Sequence, residues 1–150
     1  MYRDFLVNDF KSPAFQRAFR EYFAEIGLEA RDWDALFEEM EHDENGENLM
    51  FVRCSETGRI IGFIEFTVMN MGSWFFRVQL GFVREFWVAR EYRNNGHGTE
   101  LLALVEEYFR ERDIGYVVLT TYTAERFYLK RGYEKNLCFW ARNEDPVYLK

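Results

Sequence analysis

Residues 82–112 read FVREFWVAREYRNNGHGTELLALVEEYFRER, and the fold is decided here. Phe82 to Val88 are mostly aromatic or β-branched, which suits a packed, pleated strand. Arg93 to Gly98 (RNNGHG) follow, rich in Asn and Gly, the residues that reach left-handed backbone conformations at least cost. From Thr99 to Arg112 the apolar residues Leu101, Leu102, Val105, Tyr108 and Phe109 recur at helical spacing, with Glu106, Glu107, Arg110 and Glu111 between them. A helix that starts at such a turn aims several unpaired N–H groups and its positive dipole end at whatever lies beyond it. That is an anion site.

The chemistry of the anion is narrowed by what the turn lacks. A phosphate loop of the Walker kind ends in Gly-Lys-Ser/Thr, whereas Gly98 is followed by Thr99 and Glu100. The dinucleotide fingerprint needs a third glycine where this chain has Leu101. Arg93-x-x-Gly96-x-Gly98 resembles instead the acyl-CoA pyrophosphate turn of the GNAT superfamily of N-acetyltransferases. A second stretch, Arg126-Phe127-Tyr128-Leu129-Lys130-Arg131-Gly132-Tyr133, resembles the Phe-Tyr-x-x-x-Gly-Phe/Tyr signature of the same superfamily.

Working outward, Tyr2 to Val7 is an opening strand. Ser12-Pro13 starts a helix, with Ser as N-cap and Pro in the first turn. Phe15, Phe19, Tyr22, Phe23 and Ile26 form its aromatic stripe as far as Gly27. A second helix runs from about Asp32 to Glu41 on Trp33, Leu36, Phe37 and Met40. Its acidic face (Asp34, Glu38, Glu39, Glu41) continues through Asp43, Glu44 and Glu47. That face reads either as solvated surface or as a rim that attracts a cationic amine. Asn48 to Ser55 and Ile60 to Met69 pair as a hairpin through Thr57-Gly58-Arg59. A connection at Asn70 to Ser73 leads to Trp74, Phe75 and Phe76, read as core or as pocket wall. Ile114 to Thr120 is a continuously apolar strand. Ala124 to Lys130 is a short helix ended by Gly132, and Tyr133 with Cys138 to Ala141 supplies final strand material. Pro146 to Leu149 is a tail that adds an edge strand.

The expected fold class is α+β, a mixed α/β sandwich with helices on both faces of a mostly antiparallel sheet. The crossover from Phe82 through the 99–112 helix makes its two flanking strands a central parallel pair. This is also the element order of the acyl-CoA N-acyltransferase fold that the resemblance implies. At 150 residues, without repeat or linker, one domain spanning 1–150 is expected. A net charge of −7 excludes a general nucleic-acid binder, which needs a basic footprint. No long apolar run and no N-terminal signal pattern support a membrane span or secretion, so a cytoplasmic protein is expected. Cys54 and Cys138 make no disulfide framework, and two scattered histidines build no metal site.

The resemblance implies acetyl-CoA as co-substrate and assigns roles residue by residue. Arg93, Asn94, Asn95, Gly96, His97, Gly98 and Thr99 match the pyrophosphate turn. Arg93 either pairs with phosphate or braces the turn, and the His97 side chain is expected at the surface. Many relatives carry Gly where this chain has Asn94, and Asn is the next best residue for a left-handed backbone. Phe86, Trp87 and Val88 match the strand edge that binds pantetheine, with Thr121, Tyr122 and Thr123 as the opposite wall. Tyr128 matches the general acid that protonates the departing thiolate, with the alternative that it is core packing. Tyr122 and Tyr133 are weaker candidates.

An amine acceptor must lose a proton before attack, since its ammonium has a pKa near that of Lys, about 10.4. Glu85 is the carboxylate within the central strand. Strict alternation puts it on one face with Val83 and Trp87. It is either the base, directly or through water, or the partner of Arg84 or Arg90 at the sheet surface, and Glu65 is a lesser candidate. Neither cysteine has a histidine in recognisable relation, which disfavours an acyl-enzyme. The expected activity is direct transfer of acetyl to a primary amine, best a small cationic molecule, with a protein Lys or N-terminus open. The competing readings are a catalytically inactive acyl-CoA-binding regulatory module, or a turn that binds some other phosphate. A homodimer with a seam at 74–76 or near the C-terminus is also open.

Overall fold

The computed structural model describes residues 1–42, 48–121, 123–136 and 145–150. The expectations for Asp43, Glu44, Glu47, Tyr122 and the strand at Cys138 to Ala141 lie outside these residues. Seven strands form one sheet: β1 (Arg3–Val7), β2 (Leu49–Cys54), β3 (Ile60–Gly72), β4 (Arg77–Val88), β5 (Val117–Thr120), β6 (Glu134–Asn136) and β7 (Val147–Leu149). Their spatial order is β1-β2-β3-β4-β5-β7-β6. All neighbours are antiparallel except β4 and β5, which run parallel and pair at Gly81–Val117 and Phe82–Val118. The chain tail is therefore not an edge. β7 sits between β5 and β6, because Val147 to Leu149 complete the ladder of the short β5 on the side β4 leaves open.

Four helices cover the two faces: α1 (Pro13–Glu25), α2 (Trp33–Glu41), α3 (His97–Glu111) and α4 (Glu125–Leu129). The Ser12 hydroxyl caps α1 by accepting from the Phe15 amide at 3.2 Å, and Asp32 caps α2 from Ala35. On one face Phe15, Ala18 and Phe19 of α1 and Phe37 of α2 bury against Met50, Val52, Phe63 and Trp87. On the other, Leu101, Leu102, Val105 and Phe109 of α3 bury against Ile64, Phe66, Val83, Val117 and Leu119. Each fully buried large apolar side chain is worth about 1.5–3 kcal/mol, so these two stripes fix which way each helix faces. No helix among the described residues is long and apolar enough to cross a membrane.

The hairpin between β3 and β4 is longer than its sequence pattern suggests. Its strands run on to Gly72 and from Arg77, leaving only Ser73 to Phe76 as the tip. Trp74 and Phe75 are 99% and 95% exposed there, so these aromatics are neither core nor pocket wall. The same hairpin contains a bulge. Between the pairs Ile64–Phe86 and Phe66–Val83, the single residue Glu65 faces both Arg84 and Glu85. The bulge inverts the alternation of β4. Val83 packs with α3, whereas Trp87 packs with α1. Glu85 therefore shares a face with Trp87 but not with Val83.

Candidate active site

After Phe82, β4 has no ladder pair with β5, and the two strands separate. The gap opens into a cleft of about 960 Å³. Phe86, Trp87 and Val88 form one wall, Thr120, Thr121 and Thr123 the other, and the turn before α3 closes one end. The turn is built by two left-handed residues, Asn94 at φ +64° and Gly96 at φ +85°. After Gly, Asn is the residue that reaches this conformation at least cost, as expected for a residue standing in for Gly. Among the described residues, the first amide of the helix to find a partner is that of Glu100, which donates to the Gly96 carbonyl at 3.0 Å. The amides from Asn94 to Thr99 give no hydrogen bond among the described residues. Six donors at a positive helix end fit a diphosphate.

Most residues of this turn line the cleft, and the side chains of two of them brace it. Arg93, Asn94, Gly96, His97, Gly98 and Thr99 line the cleft, and Asn95 does not. The Asn95 amide instead donates to the carbonyls of Tyr92 and Arg93 and holds the loop closed. Arg93 braces too. Its Nε donates to the Val88 carbonyl at 2.8 Å and its guanidinium pairs with Glu25. Although burial pushes the Glu25 carboxyl up, hydrogen bonds from Trp87 Nε1 and Arg93 outweigh it and hold the group below its ordinary value.

The His97 side chain is not at the surface but 7% exposed. As the first residue of α3 it points back over the sheet towards β1 and β2. There Arg53 Nη1 donates to its Nδ1 at 3.0 Å, and Tyr2 meets its ring edge-on at 4.5 Å. Arg53 is itself buried, held bidentately by Asp4 at 2.7 and 2.8 Å and paired with Glu100. An Arg-centred network thus joins two strands to the first turn of the helix.

Tyr128 lies at the opposite wall, buried, with its ring edge-on to Phe127 at 5.1 Å and Tyr133 at 5.5 Å. Burial pushes its hydroxyl well above the ordinary phenol range, so it remains protonated, as a proton donor must. Tyr133 is a core residue of the α3 face and does not line the cleft. Thr121 lines it, and its hydroxyl accepts from the Ala124 amide at 3.0 Å, positioning α4.

Glu85 faces the cleft from the α1 side, and its partner is neither Arg84 nor Arg90. Tyr22 of α1 donates to it at 2.5 Å. Arg84 turns to Asn48 and Glu65. Glu65 is buried and lies off the cleft wall. The acidic face of α2 also stays off the cleft, with Glu38 and Glu41 paired to Lys11.

Among the residues that the fold brings here without a role in the sequence reading are Tyr22, Glu25 and Arg131. Tyr22 is hidden within an aromatic stripe that reads as core. Arg131 lies inside the second motif, two residues before Tyr133. Its guanidinium stacks on Phe127 at 3.7 Å, donates to the Phe127 carbonyl and reaches the Thr99 hydroxyl, adding positive charge beside the first turn of α3.

A family model described as Acetyltransferase (GNAT) family matches residues 12–133. Among solved structures, a predicted acetyltransferase with acetyl-CoA from Clostridium acetobutylicum aligns with a TM-score of 0.76 at 14% identity, over 94% of this chain and 95% of that one. Glucosamine-6-phosphate N-acetyltransferase from Arabidopsis thaliana gives 0.69 at 15% identity, over 95% and 97%. An aminoglycoside acetyltransferase from an uncultured soil sample, in complex with trehalose, gives 0.68 at 15%, over 93% and 95%. At these identities the likeness is one of fold. Comparison with curated proteins finds no match.

Proposed function

Because the chain belongs to the GNAT family of acetyltransferases, we propose that it transfers an acetyl group from acetyl-CoA to a primary amine by direct attack. The observation that carries this reading is the run of undonated amides from Asn94 to Thr99 at one end of a cleft that holds Tyr128 further along. The amides bind the diphosphate, assisted by the charge of Arg131. The exposed edge of Phe86, Trp87 and Val88 takes the pantetheine arm as an added strand would be taken. A strand N–H polarises the thioester carbonyl. Tyr128 donates its proton to the departing sulfur, and Glu85 serves as the base for the amine. No covalent enzyme intermediate is needed. Cys54 is off the cleft, and burial pushes its thiol up, away from the reactive thiolate.

A small cationic amine is the favoured acceptor, because the carboxylates of Glu25 and Glu85 border the cleft in a chain of net charge −7. Acetyl-CoA at about one hundred times its Kd should stabilise the chain by about 2.7 kcal/mol, roughly 5–10 °C in Tm. Thiol release is then followed with polyamines, amino sugars and lysine peptides. Tyr128→Phe should keep the thermal shift and lower kcat by about 10²-fold. Turnover at the wild-type rate in that variant removes Tyr128 from the mechanism. A thermal shift without thiol release from any amine favours the CoA-binding module instead.

A further inference from the structure

Tyr22 reaches the cleft from α1, and its hydroxyl gives its proton to Glu85 Oε2 in a 2.5 Å hydrogen bond. A phenol has one proton to donate and lone pairs with which to accept. With the proton committed to Glu85, what Tyr22 can offer an incoming group is an acceptor, and an ammonium N–H is a donor without lone pairs. The same bond occupies Glu85 Oε2 on the Tyr22 side. The ring of Tyr22 packs edge-on against Phe19, Phe23 and Phe63, which fixes where its oxygen sits. The pair thus has a rigid member on a helix and a charged member at a strand bulge.

We propose that Tyr22 is a catalytic residue that takes the proton from the acceptor ammonium and passes its own proton to Glu85. This rests on the N-acetyltransferase reading above and adds the group that touches the nucleophilic nitrogen. In the first step one N–H bond of R–NH3+ and the Tyr22 O–H bond break, and two O–H bonds form, one on Tyr22 and one on Glu85. The products are a neutral amine, a neutral phenol and a protonated Glu85. The amine lone pair then forms the bond to the acetyl carbonyl carbon and the C–S bond breaks. The sulfur takes its proton from Tyr128, and the surplus nitrogen proton restores the Tyr128 phenol. Glu85 finally releases its proton to water, so the sum is R–NH3+ and acetyl-CoA giving the N-acetyl amine, CoA thiol and H+.

The surroundings assign the two members different duties. Burial, then the charge of Glu85, holds the Tyr22 hydroxyl far above the ordinary phenol range. Tyr22 therefore conducts a proton without storing one, and Glu85 stores it. The other titratable groups acting on Tyr22 are Glu65 of β3 and Tyr128 of α4. Both raise it in the same direction, so none of them favours the phenolate.

The test uses the full chain, acetyl-CoA and two probe amines. Spermidine carries primary ammonium groups that must be deprotonated at pH 7, whereas hydroxylamine is weakly basic and already neutral. Tyr22→Phe keeps the ring and removes only the relay oxygen. It should lower kcat/KM for spermidine about 10²-fold at pH 7 and leave the acetyl-CoA thermal shift in place. The loss should be at least about tenfold smaller with hydroxylamine, and should shrink as pH rises towards the amine's own pKa of about 10.4. Glu85→Gln should show the same split, and the double variant should be no slower than the slower single one, as residues acting as a unit behave. Wild-type kinetics with spermidine in Tyr22→Phe, an equal loss with both amines, or use of hydroxylamine but not spermidine by the wild-type chain would each overturn the relay alone. Transfer by the wild-type chain to neither amine would overturn the parent reading, and the relay with it.

Discussion

Arg53→Met isolates the network that anchors the turn before α3, the proposed acetyl-CoA site. Arg53 is 6% exposed and makes four contacts: two to Asp4, one to Glu100 and one to His97. Breaking a fully buried pair by removing one member costs about 3–5 kcal/mol, because the remaining charge is stranded. Here the stranded carboxylates are partly wet, with the Asp4 and Glu100 side chains 27% and 64% exposed. Exposed pairs contribute only about 0–1 kcal/mol, so the expected loss falls to about 2–3 kcal/mol. For a chain of this size that is about 5–10 °C in Tm. Met preserves most of the aliphatic volume, so little of the loss should come from packing. A second readout separates anchoring from mere stability. His97 and Glu100 stand in the first turn of α3, and freeing them should loosen the amides proposed to bind the diphosphate. One lost hydrogen bond of about 1 kcal/mol corresponds to roughly fivefold in Kd for acetyl-CoA. Differential scanning fluorimetry and calorimetric titration measure both quantities. A Tm within about 1 °C of wild type, or an unchanged Kd at reduced Tm, would refute the anchoring role.

Two further outcomes follow from the packing and the charges. A Cβ at Gly81 would lie 2.6 Å or closer to three ring carbons of Phe109, which is itself fully buried, so Gly81→Ala should cost about 1–3 kcal/mol. Thermal melts check it, and a neutral result would mean that α3 stands off the β4–β5 pair. Glu25 is held below its ordinary value of 4.5, so its contribution is complete above that pH and is lost as pH falls through the lower folded value. The Tm gap between wild type and Glu25→Gln should therefore be widest near pH 7 and close as pH falls through that lowered value. A gap that widens on acidification would contradict this.

The parts of the fold that the sequence made legible are those where a local rule coincides with the tertiary outcome. Ser12-Pro13 starts α1 and Asp32 starts α2, because a cap is satisfied by neighbours in the chain, whereas α3 begins at His97, two residues before the expected Thr99. The parallel pairing of β4 with β5 follows from a right-handed crossover through one helix. What stayed hidden depends on partners far along the chain. His97 looks unconstrained until Arg53, 44 residues away, arrives beside it. Tyr22 looks like core until Glu85 does. The place of β7 depends on which edge of β5 is left open by β4, which no window of sequence contains.

The bulge at Arg84 and Glu85 explains both the one failed count and the shape of the site. Had β4 kept a strict two-residue period, Val83, Glu85 and Trp87 would share one face, and Phe86 and Val88 the other. The extra residue instead leaves Val83, Phe86 and Val88 packed towards α3, and turns Glu85 and Trp87 towards α1. A carboxylate on the α3 face would be buried among Leu101, Leu102 and Val105, where an unpaired charge is costly. Turned to the α1 face it meets Tyr22 at the mouth of the cleft. The ladder between β4 and β5 ends at Phe82, just before the bulge, and residues 86–88 beyond it border the cleft. One inserted residue therefore serves both parts of the proposed reaction: residues 86–88 border the cleft where the donor would lie, and Glu85, the proposed base, faces the same cleft beside Tyr22.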